Sequence, residues 1–135
     1  FCGAYANEDI QTKVFEQVHA IVVPSIWGEN SPLVIHEAQA CRVPVITADY
    51  GGMAEYVQHQ VNGLLFEHRR ASALATQMDW AAKHPQLIQK LGKRGYLYSK
   101  NGQVPDIKTH CKILEKLYRN VISQQNSTSA LAGNY

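Results

Sequence analysis

The chain has 135 residues, 45% of them hydrophobic, and a formal net charge of +2. Those values suit one globular domain with a modest core and exclude disordered and fibrous classes. So small a charge, with no Lys/Arg block interleaved with aromatics, argues against nucleic acid as a partner.

In chain order, Asn7 caps a predicted helix running to about Val18, whose apolar stripe is Ile10, Val14, Phe15 and Val18. The apolar run Ala20-Ile21-Val22-Val23 predicts a buried strand that passes through Pro24-Ser25 into a short loop holding Glu29. Pro32 falls where the first turn of a second helix begins, and that helix carries Glu37. Val43 to Ala48 reads as another buried strand; it ends in Asp49-Tyr50-Gly51-Gly52 and a short helical start, Met53 to Val57. Asn62-Gly63 turns into a third strand, Leu64-Leu65-Phe66. Helices follow near Ala71 to Lys83 and from Pro85 to Tyr98, and Gly102 breaks the pattern. Pro105 starts a last helix with Ile107, Cys111, Leu114, Leu117, Tyr118 and Val121 on its expected buried side. The organisation expected is one Rossmann-like domain over residues 1–122 and a loose tail over 123–135, where the composition turns to Gln, Asn, Ser, Thr, Ala and Gly.

Two strand-turn-helix units in succession predict a parallel α/β sheet, with ligands beyond the carboxyl ends of the strands. There, a helix mouth offers backbone N–H groups without partners and the positive end of the helix dipole, a setting that favours phosphate. Pro32 has no N–H to give, so the candidate donors are Ser31, Leu33 and Val34, with the Ser31 hydroxyl able to cap. Glu37 lies five residues beyond Pro32, roughly 7 to 8 Å along the axis, so a ligand lying across the mouth can touch both Glu29 and Glu37. Gly51 and Gly52 permit positive φ and close backbone approach to a ligand.

Pro24-Ser25, Trp27, Glu29-Asn30, Pro32, Glu37-Ala38, Pro44-Val45-Ile46, Gly51-Gly52, Glu55 and Asn62-Gly63-Leu64-Leu65 stand in an order and spacing that resembles the donor-binding half of retaining GT-B glycosyltransferases, the group 1 or family 4 enzymes. Glu29 and Glu37 match that family's pair of glutamates with seven residues between. The resemblance implies a Rossmann-like parallel sheet flanked by helices, the C-terminal part of a GT-B fold. It implies transfer of a sugar, with retention and without a metal or cofactor, from a nucleotide diphosphate sugar to an acceptor such as a glycan, lipid-linked carrier or small molecule. Glu29 is then the catalytic residue facing the donor sugar, though not a nucleophile. Glu37 takes the ribose hydroxyls, Asn30 and Ser31 stand beside Glu29, and the Leu33 and Val34 amides lie near the β-phosphate, with Pro32, Gly51 and Gly52 completing the donor site.

The family's basic clamp on the diphosphate and its acceptor domain are carried on segments upstream of Phe1, which is not an initiator methionine. The chain therefore reads as part of a larger enzyme, inactive alone and prone to self-associate through an unpaired sheet edge. Its expected location is the cytoplasm, peripheral to a membrane where the acceptor is lipid-linked. Arg42 stands where the family usually has Gly, so the end of the glutamate helix is expected to be built differently.

Other residues read more plainly. Cys2, Cys41 and Cys111 share no metal-like spacing and suit reduced intracellular thiols, with Cys41 and Cys111 expected in the core. The six histidines show no metal spacing, and His36 is expected to face solvent. Trp27 is expected to anchor its own loop or to stack on a ligand. Glu55 suits either a nucleotide contact or a helix start. Alternatives to transfer are a glycoside hydrolase using the two glutamates, a nucleotide-sugar epimerase, and a non-catalytic nucleotide-binding module.

Overall fold

The computed structural model describes residues 3, 4 and 6–132, without the side chains of Asn7 and residues 125–132. Three short strands, β1 (Ile21–Val23), β2 (Val45–Ala48) and β3 (Gly63–Phe66), form one parallel sheet in that order. The register pairs Ile21 with Val45 and Val45 with Gly63. β2 is central, so all four of its residues are buried. Its one polar side chain, Thr47, is satisfied by donating to the Val23 carbonyl at 3.0 Å.

Between the strands run α1 (Leu33–Ala40) and α2 (Gly51–Tyr56); α3 (Ala71–Lys83) and α4 (Pro85–Arg94) follow β3. The core brings together Phe15, Ile35, Ile46, Met53, Leu64 and Ile88, each 2% exposed or less. On the outer side of β3, His59 Nδ1 accepts from the Leu65 N–H at 3.0 Å and so covers one edge amide.

The N-terminal segment corrects an expectation. Residues 7–17 form no continuous α-helix but a 3-10 turn (Asn7–Asp9), a π turn (Ile10–Val14) and a second 3-10 turn (Phe15–Gln17). β-branched Ile10, Thr12 and Val14 are weak helix formers. Side chains also take up backbone carbonyls, Thr12 Oγ1 donating to Asp9 O and Gln17 Nε2 to Thr12 O. Phe15 is buried as expected, whereas Val18 is extended and exposed.

Arg42 brings a second correction. The end of α1 is built as glycine would build it: Arg42 sits at φ 61°, its N–H donates to Gln39 O at 3.1 Å, and the Val43 N–H donates to Ala38 O at 2.9 Å. This is a Schellman closure. The left-handed backbone is offset by the side chain, whose guanidinium donates to the carbonyls of Lys93 (3.3 Å), Arg94 (3.4 Å) and Asn101 (2.8 Å), satisfying the end of α4. α4 stops at Arg94 instead of reaching Tyr98 because Gly95 turns to φ 60°, against Arg42 and Gly102.

The chain divides into two units, Phe1–Val104 and Pro105–Tyr135. The second holds α5 (Ile107–Ala132), begun by Asp106, whose carboxylate accepts from the Thr109 N–H at 2.7 Å. Of the residues expected on its buried side, Ile107, Cys111, Leu117, Tyr118 and Val121 are exposed. α5 also continues through 123–132, where a loose tail was expected: no Gly or Pro interrupts Ser123 to Ala132, and Ala and Gln favour helix. The expectation for 133–135 lies outside the described residues, as do Phe1 and Cys2. Among the described residues no helix is long and apolar enough to cross a membrane.

Candidate functional site

The loops at the carboxyl ends of the three strands gather the residues singled out above. After β1, Ser25 Oγ accepts from the Trp27 N–H at 3.3 Å and donates to the Glu29 carboxylate at 3.0 Å. The Glu29 N–H donates back to Trp27 O at 3.0 Å, closing a small turn that holds Glu29 half-buried. Trp27 is 76% exposed beside this turn.

After β2, Gly51 and Gly52 open α2 directly beneath the Glu29 loop. The Gly52 N–H donates to Glu29 O at 2.6 Å. A Cβ on Gly52 would overlap the Asn30 carbonyl outright and lie 2.7 Å from Glu29 O. Gly51 takes φ 56°, a conformation costly to a side chain. The close approach that this glycine pair permits is thus first of all to the backbone of Glu29 and Asn30.

Tyr50 borders the same loop. Its ring stacks on His68 at 4.0 Å and 6°, and His68 Nε2 lies 3.2 Å from Ile26 O, which as a carbonyl requires that nitrogen to carry the hydrogen.

At the mouth of α1 the expected roles shift. Pro32 is the N-cap residue, at φ −62° and ψ 115°, not part of the first turn. Ser31 does not cap the helix, because its Oγ pairs with His36 Nε2 at 2.8 Å. The Leu33 and Val34 amides belong to the first turn, where no i−4 carbonyl exists within the helix, and both residues are exposed. Glu37 is half-buried further along α1, and among the described residues its carboxylate makes no hydrogen bond or ion pair. It stands near Cys41, whose thiol pKa is raised by burial first and then by the charges of Glu16 and Glu37.

His36 was expected in solvent and is instead half-buried. Its ring meets Tyr56 edge-on at 4.4 Å and Tyr96 at 5.8 Å, and burial lowers its pKa. The turn after α4 folds Tyr96 over it, a contact no local pattern could announce. Two residues of the sequence motif had no role assigned to their side chains: Ser25, which holds Glu29, and Asn62. The latter is buried, donates to Tyr56 O (2.9 Å) and Gly95 O (3.0 Å), and accepts from the Gln58 N–H (2.8 Å). Glu55 is exposed, and its carbonyl accepts from the Tyr98 hydroxyl at 2.8 Å.

A parallel sheet with a carboxylate loop, a glycine turn and a helix mouth at its carboxyl end defines an α/β protein of the Rossmann-like kind. Residues 3–98 match the family of glycosyl transferases group 1, and the chain belongs to that family. Among similar proteins, the glycosyltransferase-like YtcC of Bacillus subtilis (strain 168) is 30% identical over 115 residues, 84% of this chain and 28% of its own length. D-inositol 3-phosphate glycosyltransferase of Actinosynnema mirum is 38% identical over 79 residues, 58% of this chain and 19% of its own. The chain thus spans well under a third of these relatives.

Of solved structures, Anabaena Alr3699/HepE in complex with UDP superposes with a TM-score of 0.63 at 26% identity, covering 75% of this chain and 28% of that one. Sucrose-phosphate synthase of Thermosynechococcus elongatus does so with 0.68 at 29%, covering 82% and 27%. The expected fold class, a Rossmann-like parallel sheet flanked by helices as in GT-B glycosyltransferases, is the fold found.

Proposed function

We propose that this chain is the donor-binding part of a retaining, metal-independent glycosyltransferase that takes a sugar from a nucleotide diphosphate sugar. The observation that carries the reading is the seating of the Glu29–Asn30 backbone on Gly51-Gly52, which joins the carboxylate loop to the sheet's carboxyl end next to the α1 mouth. Solved structures of the similar HepE contain UDP and UDP-glucose, ligands of the same chemical class.

In this reading Glu29 is the catalytic residue, turned to the donor sugar and held by Ser25, with Asn30 beside it. Ser31 and the Leu33 and Val34 amides take the β-phosphate and stabilise the leaving diphosphate, and Pro32 sets the approach of the loop. Glu37, whose carboxylate has no partner among the described residues, accepts two ribose hydroxyls, a role suited to an ionised carboxylate. The acceptor site and the remaining diphosphate contacts lie on other parts of the protein, so the chain alone does not turn over and self-associates through uncovered surface. The working location is the cytoplasm.

Calorimetric titration of UDP and UDP-glucose into the chain tests this. Glu37→Gln is expected to weaken both ligands about tenfold, from loss of charged hydrogen bonds. Glu29→Gln is expected to weaken UDP-glucose only. Failure of the wild-type chain to bind either nucleotide at millimolar concentration would overturn the reading.

A further inference from the structure

His36 has no part in the donor contacts above, yet it adjoins Glu37 on α1 and is held from three directions. Tyr56 and Tyr96 meet its ring at 4.4 and 5.8 Å, with interplanar angles of 71° and 66°, and Ser31 Oγ lies 2.8 Å from Nε2. The other ring nitrogen, Nδ1, is buried and has no hydrogen-bond partner among the described residues. The ring is therefore locked, with one nitrogen aimed at Ser31 and the other sealed away from water.

A neutral imidazole has one hydrogen for two nitrogens, which leaves two arrangements. If Nε2 were bare, Ser31 would donate to it, and the hydrogen on Nδ1 would be stranded where nothing accepts it. If Nε2 carries the hydrogen, it donates to Ser31 Oγ and Nδ1 keeps only a lone pair. Buried N–H groups without acceptors are the rarer kind of orphan, so the second arrangement is favoured. Ser31 Oγ then accepts from His36 and its own hydrogen is free to turn outward. Ser31 is exposed and immediately precedes the Pro32 N-cap, so that hydrogen can turn toward whatever sits at the α1 mouth.

We infer that His36 is a positioning residue: by donating Nε2–H to Ser31 it commits the Ser31 hydroxyl to donating to a terminal phosphate at the α1 mouth. This rests on the proposed donor site and deepens it, since phosphate oxygens on a diphosphate only accept. A ligand without the second phosphate gains nothing from the arrangement.

The test titrates UDP and UMP into the chain for wild type, Ser31→Ala, His36→Leu, His36→Gln and the double variant Ser31→Ala/His36→Leu, with melting curves confirming that each is folded. His36→Leu is expected to weaken UDP about fivefold to tenfold and to leave UMP within about twofold. Ser31→Ala is expected to match it, and the double variant to lose no more than either alone. His36→Gln, whose amide can place an N–H near the Nε2 position, is expected to retain most of the UDP affinity. Equal losses for UDP and UMP would reduce His36 to scaffold, and so would additive losses in the double variant. Wild-type binding of UDP with no effect of His36→Leu or Ser31→Ala overturns this inference alone; no wild-type binding at all overturns the donor site beneath it.

Discussion

The N–H of Gly52 donates to the carbonyl of Glu29 across 2.6 Å, so the loop that carries the candidate catalytic carboxylate is seated on the first turn of α2. The glycine pair after β2 serves the glutamate before it touches any ligand. Because a Cβ at position 52 would occupy the space of the Asn30 carbonyl, Gly52→Ala must displace that loop or the start of α2. We expect a loss of roughly 2–3 kcal/mol in urea unfolding and of UDP-glucose binding. A variant with wild-type stability and affinity would show that the loop is not seated there.

Arg42 offers a paired comparison. Arg42→Ala loses the guanidinium contacts to Lys93, Arg94 and Asn101 and keeps a left-handed backbone. Arg42→Gly loses the same contacts but relieves the backbone. The glycine variant is therefore expected to be more stable than the alanine variant by about 1 kcal/mol, read as the difference between their denaturation midpoints at equal slope. Equal stability would mean that position 42 is not held at positive φ.

Asn62 links the end of α2, the residues before β3 and the end of α4 through three hydrogen bonds at a buried position. Asn62→Ala leaves the Gly95 carbonyl and the Gln58 N–H without that partner. A cost of about 3 kcal/mol is expected, measured by thermal or chemical unfolding; a change below about 0.5 kcal/mol would place the side chain in solvent.

Burial holds the His36 pKa below the ordinary imidazole value of 6.5. The unfolded chain then binds this proton more readily than the folded one, so the associated stability is complete above 6.5 and is lost as pH falls through that value toward the folded pKa. Denaturation midpoints taken from about pH 7 down to about pH 5 are expected to fall less steeply in His36→Gln than in wild type. Parallel curves would exclude a buried imidazole.

The two described cysteines differ in surroundings. Cys111 is exposed on α5, whereas Cys41 is partly buried and its thiol pKa is raised by burial, Glu16 and Glu37. Near neutral pH, iodoacetamide is expected to label Cys111 first, with Cys41 catching up as pH rises, since the thiolate is the reacting form. Peptide mass spectrometry reads the order, and preferential labelling of Cys41 would contradict its placement.

Much of the architecture is legible in the chain itself. Ile21–Val23, Val45–Ala48 and Gly63–Phe66 are apolar runs too short for helices, the first two rich in β-branched residues and the third following the Asn62-Gly63 turn, and Ala71–Lys83 spans just the predicted stretch. These elements rest on local composition and periodicity, which a sequence displays directly. The first helix was misjudged because periodicity promised a regularity that β-branched residues and competing side-chain hydrogen bonds do not sustain. The end of α1 was misjudged because a glycine-like turn can be kept by an arginine whose side chain reaches carbonyls far along the chain.

The sequence by itself determined which chemical groups the candidate site has: two carboxylates at the family spacing, a helix mouth with free amides, and a glycine pair after the central strand. Only the tertiary structure decided what those groups lean on. It set Glu29 against Ser25 and Gly52, drew His36 out of solvent between Tyr56 and Tyr96, and turned Ser31 from a helix cap into the partner of that histidine. The reason is physical: composition and spacing act between neighbours along the chain, whereas burial and hydrogen-bond partners depend on segments that meet only when the sheet and its helices close around one core.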